Sequence, residues 1–246
     1  MFDIHYVPSN WGIIPRIFGV SSYTFFVGLG ILAALVFYFV DARRRKVSGE
    51  GAILIVTAAL MFGILGSKAP LLIANHDFLG RPDVWFEGKT IVGGFLGGMA
   101  GVILVKKVFR LKMKLGNIIA PAVALGMAIG RLGCFFNGCC YGKPSPIGFN
   151  FGDGVTRMPT QLIDSVFNLI SFFVLLYLKD RVIMPGILFK YYISAYLVFR
   201  FFIEFLRENQ ILILGLTLYQ VLCILGLILV NYKLIYILKP KVETGG

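Results

Sequence analysis

Seven apolar runs succeed one another along the chain, at 21–40, 52–74, 91–108, 116–136, 161–178, 186–206 and 211–231. Each comes close to the roughly 20 residues that an α-helix needs to cross a bilayer. A water-soluble core could not hide them all. Hydrophobic residues make up 58% of the 246-residue chain and charged residues 15%, with a mean hydropathy of +0.83, well beyond what a soluble domain carries. The predicted architecture is an all-α polytopic membrane protein of about seven transmembrane helices. The run at 91–108 is short, and Arg200 and Glu204 interrupt the one at 186–206. No linker or compositional shift divides the sequence, so residues 1–246 are expected to form a single transmembrane domain.

The formal net charge of +12 raises the question of nucleic acid, and the distribution of charge answers it. Basic residues cluster in the short connections after odd-numbered runs. Arg43, Arg44, Arg45 and Lys46 follow the first, and Lys106, Lys107, Arg110, Lys112 and Lys114 the third. Lys179 and Arg181 follow the fifth, and Lys233, Lys239 and Lys241 the seventh. Connections of this kind face the cytoplasm and its anionic headgroups, which predicts an extracytoplasmic N-terminus and a cytoplasmic C-terminus. A nucleic-acid binder would need a basic soluble face with interleaved aromatics, and none is present. Met1 to Gly19 lacks a basic n-region and a small-residue cleavage site. It is expected to be an interfacial segment before an uncleaved first span. Two longer connections, His76 to Thr90 and Tyr141 to Pro159, lie on the predicted outer side, where chemistry is expected.

Charge inside a bilayer is costly, so each intramembrane ionisable residue is a candidate for function. These are Lys68, Arg131, Asp164, Arg200 and Glu204, with Arg207 at the end of the sixth run. Arg200 and Glu204 stand one helical turn apart and can pair, with Arg207 expected on the same stripe. Two arginines from different helices would grip a phosphodiester through planar forks of donors; alternatively, Arg200 and Glu204 merely neutralise each other. Gly93, Gly94, Gly97 and Gly98 open the third run more densely than helix packing requires. They could present backbone N–H groups to an anion. Gly126 reads more simply as packing. Cys134, Cys139 and Cys140 lie close together and leave several readings open. They are small helix-end residues, a disulfide, a covalent thiol, or, least favoured because no histidine or fourth ligand accompanies them, a metal site.

The segment Gly130-Arg131-Leu132-Gly133-Cys134-Phe135-Phe136-Asn137-Gly138-Cys139-Cys140-Tyr141-Gly142 resembles the signature of the prolipoprotein diacylglyceryl transferases, Gly-Arg-x-Gly-Asn-Phe-x-Asn-x-Glu-x-x-Gly. Arg131, Gly133, Phe135, Asn137 and Gly142 match in register. Further stretches agree in order: Ser22-Tyr23, Val92-Gly93-Gly94, Pro159-Thr160-Gln161-Leu162, Arg200 to Arg207, and Leu216 to Gln220. The resemblance implies transfer of a diacylglyceryl group from phosphatidylglycerol to the cysteine of a lipobox-bearing precursor, at the outer leaflet of a bacterial plasma membrane. It implies no cofactor, metal or nucleotide. It also implies that Arg131 and Arg200 hold phosphate, that Glu204 orients an arginine, and that Tyr23 and Asn137 donate hydrogen bonds. Gly93, Gly94, Gly142, Gln161 and Arg207 would complete the substrate site.

Cys134 and Cys139 stand where that signature has Asn and Glu, and Val92 stands where the family usually has a histidine proposed to activate the acceptor thiol. The resemblance is that of a divergent member. Two other functions compete: a non-catalytic lipid- or peptide-binding relative, and a membrane thiol–disulfide oxidoreductase using Cys139 and Cys140. A transporter is poorly supported, because no internal repeat accompanies the seven runs.

Overall fold

The computed structural model describes residues 12–47, 49–74, 91–152, 154–182, 184–209, 211–213 and 215–238. The connection from His76 to Thr90 and the first eleven residues of the expected interfacial segment lie outside these, as does the side chain of Val92. Seven helices occur among the described residues: α1 (Ser22–Arg44), α2 (Glu50–Ala74), α3 (Ile91–Val108), α4 (Gly116–Phe136), α5 (Thr160–Leu178), α6 (Ile187–Ile203) and α7 (Leu218–Leu238). Four of them contain apolar stretches long enough to cross a membrane: α1, the Glu50–Lys68 part of α2, α4 and α5.

The fold is mostly but not wholly helical, which amends the all-α expectation. Three antiparallel hairpins accompany the helices: β1 (Arg16–Ile17) with β2 (Val20–Ser21), β3 (Pro144–Asn150) with β4 (Thr156–Arg157), and β5 (Ile211–Ile213) with β6 (Leu216–Thr217). The seventh run, expected from 211, therefore becomes helical only at Leu218. Gly215, at φ +76°, turns the chain between β-branched residues that favour strand. The sixth run also stops early. α6 ends at Ile203, a 3-10 turn covers Glu204–Leu206, and Arg207 is extended at φ −104°, ψ 153°. Arg207 is thus not on a helical stripe with Arg200.

Small residues bring the helices together. A Cβ on Gly30 of α1 would stand 2.6 Å from the Gly126 carbonyl oxygen of α4, and α1 and α4 run antiparallel. The doubled glycines of α3 meet α2 in the same way. A Cβ on Gly66 would lie 2.6 Å from the Gly93 oxygen, and one on Gly97 would lie 2.3 Å from the Phe62 oxygen. Such approaches are how helices associate where lipid removes the hydrophobic drive. The polarity is inverted relative to a soluble protein. Gln161, Asp164 and Asn168 of α5 are 1%, 2% and 0% exposed, while Ile170 and Phe173 of the same helix are 58% and 59% exposed. An apolar exterior around a polar interior is the signature of a lipid-facing surface.

All three hairpins fall at one end of the molecule, with the start of α1, the end of α4, the start of α5 and the end of α6. The basic connections after α1 and α5 fall at the other.

Candidate active site

At the hairpin end, α4, α5 and α6 converge on buried charge. Arg131, one and a half turns before the end of α4, is 5% exposed and pairs with Asp164 of α5 at 2.5 Å. Asp164 also accepts from Asn168 Nδ2 at 2.9 Å, and Asn168 Oδ1 accepts from the Tyr192 hydroxyl at 2.7 Å. Arg131 Nη2 donates to the Tyr196 hydroxyl at 3.5 Å. On the neighbouring helix, Arg200 Nη2 lies 2.8 Å from Glu204 Oε2, and Arg207 Nε lies 4.0 Å from the same oxygen. Glu204 Oε1 accepts from Asn209 Nδ2 at 2.5 Å and from Thr217 Oγ1 at 3.1 Å. Arg200 also faces the Tyr219 ring, 5.6 Å from its centroid.

Three arginines thus stand against two carboxylates. Arg131 Nε, Arg200 Nη1 and Arg207 Nε are buried and have no hydrogen-bond partner among the described residues. A buried N–H left unpaired costs free energy. The arrangement is therefore poised for one more anion.

The segment after α4 is shaped by its cap. Gly138, at φ +69°, follows the C-cap Asn137. Its N–H bonds to the Phe135 oxygen at 3.2 Å, and the Cys139 N–H bonds to the Cys134 oxygen at 3.0 Å. This is the paired bonding of a Schellman motif, which brings the residue after the glycine against the third-last helical residue. Cys139 is thereby laid beside Cys134. Cys140 is also left-handed, at φ +62°, and turns its thiol to the same side. All three Sγ atoms lie within 4.8 Å of one another, and all three thiols are free. Hydrogen bonds from Cys134 and Cys139 hold the Cys140 thiol well below its ordinary value. Loss of solvent opposes this, and Arg207 and Arg131 add to it.

Tyr23, Gln161 and Gly142 adjoin this centre. Tyr23, in the first turn of α1, is half-buried near the three thiols and Arg131. Gln161 Nε2 donates to the Cys139 oxygen at 2.7 Å, and Thr160 Oγ1 to the Cys140 oxygen at 2.8 Å, tying α5 to the cysteine turn. Gly142 gives the hairpin its root: a Cβ there would stand 2.6 Å from the Leu206 oxygen. Asn137 is half-buried at the C-cap of α4. Gly93 and Gly94 pack on α2, but they also belong to the first turn of α3, whose N–H groups lack helical acceptors. Next to them, Phe95 packs against Tyr196 with ring centroids 5.4 Å apart. Lys68 is buried on α2, outside the ion pairs of Arg131 and Arg200.

A family model described as prolipoprotein diacylglyceryl transferase matches residues 13–236. The chain belongs to that family. A phosphatidylglycerol–prolipoprotein diacylglyceryl transferase of Clostridium tetani is 31% identical over 212 residues, covering 80% of this chain and 85% of that protein. A protein of the same name from Streptococcus uberis is 30% identical over 246 residues, covering 93% of each. One from Finegoldia magna is 31% identical over 232 residues, covering 88% of this chain and 94% of that protein.

Within this member of the family, Asp164, Asn168, Tyr192, Tyr196 and Thr217 surround the arginines without being singled out by the signature. Their signal is spacing. Gln161, Asp164, Ser165 and Asn168 recur at i, i+3, i+4 and i+7, a polar stripe along an otherwise apolar helix, and all four are buried.

Proposed function

We propose that the chain transfers the diacylglyceryl group of phosphatidylglycerol to the cysteine thiol of a lipobox-bearing prolipoprotein. Family membership supports the reaction class, and the observation that carries the site is the surplus of buried arginine N–H groups over carboxylates. A phosphodiester brings one negative charge and several acceptor oxygens to such a place.

The chemistry follows from that charge. The acceptor thiolate attacks the donor's glycerol carbon that bears phosphate. A C–S bond forms, the C–O bond breaks, and its electron pair leaves on the phosphate oxygen. Glycerol phosphate departs with one more negative charge than the diester carried. Donors fixed before the reaction stabilise that charge without reorganising. Arg131 and Arg200 hold the phosphate, and Glu204 orients Arg200. Arg207, Gln161, Asn137, Tyr23 and Gly142 shape the surrounding site, and the first-turn N–H groups at Gly93 and Gly94 are assigned to the headgroup.

The basic connections at the far end support a cytoplasmic placement for them. The arginines then face the outer leaflet of a bacterial plasma membrane, with the N-terminus outside, the C-terminus inside, and all 246 residues forming one domain. Nucleic acid has no part in this reading.

The test is a transfer assay in lipid vesicles with labelled phosphatidylglycerol and a lipobox peptide. Label on the peptide with wild type, and its disappearance with Arg131→Ala, supports the proposal. An unlabelled peptide with the lipid consumed would redirect the activity to another acceptor. Lipid binding without turnover would make the protein a binder.

A further inference from the structure

We propose that Cys134, Cys139 and Cys140 form a three-thiolate site for Zn²⁺, with an open fourth position that takes the thiol of the acceptor cysteine. The inference rests on the transferase reading above and names how that reaction obtains its thiolate.

Geometry comes first. Zinc–sulfur bonds of about 2.3 Å in a tetrahedron set the sulfurs about 3.8 Å apart. The three Sγ atoms already lie within 4.8 Å of one another, a separation that small side-chain rotations can close. Two left-handed backbone positions, Gly138 and Cys140, create this convergence. Adjacent residues of an extended chain would point to opposite sides, so Cys139 and Cys140 share a side only because the chain bends there. Cys134 is buried, Cys139 half-buried and Cys140 exposed. The site therefore has a rigid inner ligand and an approachable outer rim.

Ligand count comes next. A structural zinc site is closed by four protein ligands, whereas a catalytic one has three and leaves the fourth position to water or substrate. The fourth cysteine of the chain, Cys223, is buried on α7 and is not among the grouped thiols. Three thiolates with one Zn²⁺ carry a net negative charge, and two cations stand beside them. Arg131 Nη1 lies 4.0 Å from Cys134 Sγ, and Arg207 brings its positive charge close to Cys140. Donors to ligand sulfurs of this kind hold a thiolate site in place.

The reaction supplies the need. A thiolate is the nucleophile, yet Asp164 and Glu204 are both committed to arginines. A thiol that coordinates a metal is deprotonated outright. The acceptor thiol replaces a bound water and releases its proton to solvent, and no electron changes hands.

The test uses the full chain in detergent micelles, reduced and stripped with a chelator, with Co²⁺ alone as the probe. One equivalent should produce a sulfur-to-cobalt charge-transfer band and the visible bands of a tetrahedral thiolate site. Zn²⁺ should abolish both. Cys139→Ser and Cys140→Ser, which alter the approachable rim, should weaken or remove them while the thermal unfolding midpoint of the metal-free protein holds. A lipobox peptide should shift the visible bands, and the same peptide with serine for cysteine should not. Stripping should remove transfer and Zn²⁺ should restore it. Arg131→Ala, which leaves all three thiols but removes a donor to Cys134 Sγ, should weaken the cobalt bands without removing them and should lose transfer. Cobalt bands without transfer under any condition would leave the metal site standing and sink the transferase reading. Full transfer by stripped protein or by Cys140→Ser, absence of a tetrahedral spectrum, or a disulfide among the three that persists in protein blocked at lysis would overturn the metal site.

Discussion

Two charged clusters sit at opposite ends of the helices, and they are built differently. At the basic end, Asp41 of α1 accepts from Lys179 Nζ at 2.8 Å and from Arg45 Nε at 3.3 Å, while Arg45 reaches on to Asp180. Two cations meet two carboxylates, and Asp180 and Arg45 are open to solvent, with side chains 66% and 33% exposed. At the hairpin end, among the described residues, three arginines meet two carboxylates, and each arginine keeps a buried N–H unpaired. The first cluster is complete and joins α1 to the end of α5. The second is incomplete by one anion. Charge that closes on itself is architecture, and buried charge left open is a place for a ligand.

The largest expected effect tests that openness. On the proposed reading, Arg131→Ala removes a donor to the departing phosphate, an expected loss of about 10²–10³-fold in kcat. It also strands Asp164, at a cost of about 3–5 kcal/mol. Adding Asp164→Asn to Arg131→Ala should restore much of the thermal unfolding midpoint and none of the transfer. If activity returned together with stability, Arg131 would be architecture after all. Glu204→Gln should come next. The amide retains an acceptor for Asn209 and Thr217 but leaves Arg200 without its counter-charge. We expect about a tenfold fall in kcat/KM, about 1.4 kcal/mol, read as a split between kcat and KM. A change in stability alone would make Glu204 a structural neighbour.

The helices and the Arg200–Glu204 pair were legible because each follows from a period. Apolar length marks a span, and a four-residue interval marks a shared helical face. The hairpins were not legible, because strands of two or three residues leave no alternation to read, and the β5–β6 turn depends on Gly215 in a left-handed conformation. Arg207 was misread for a related reason: its seven-residue interval from Arg200 presumes a helix that ends at Ile203. The Asp164 stripe was written in the spacing of α5 but is diluted by the surrounding apolar residues. The thiol cluster is the subtlest case. Cys134 and Cys139 are five residues apart, an interval that no regular helix brings face to face, and only the glycine cap between them joins their side chains.

The smallest expected effect belongs to the complete cluster. Asp41→Asn keeps the size of the side chain and removes the charge that Lys179 and Arg45 share. Arg45 and Asp180 are partly solvated, so their share is roughly 1 kcal/mol or less and salt screens it, whereas the Asp41–Lys179 contact, with side chains 9% and 13% exposed, is screened less. Thermal unfolding in detergent should therefore show a lowered midpoint at low salt, with mutant and wild type converging only in part as ionic strength rises. Transfer should be unchanged throughout, because α1 can lose one contact at its basic end while Tyr23 and the α1–α4 glycine contact hold the other. A loss of transfer comparable with that of Arg131→Ala would break the comparison. The two ends would then be mechanically coupled through α1 and α5, and the satisfied cluster would be setting the geometry of the open one.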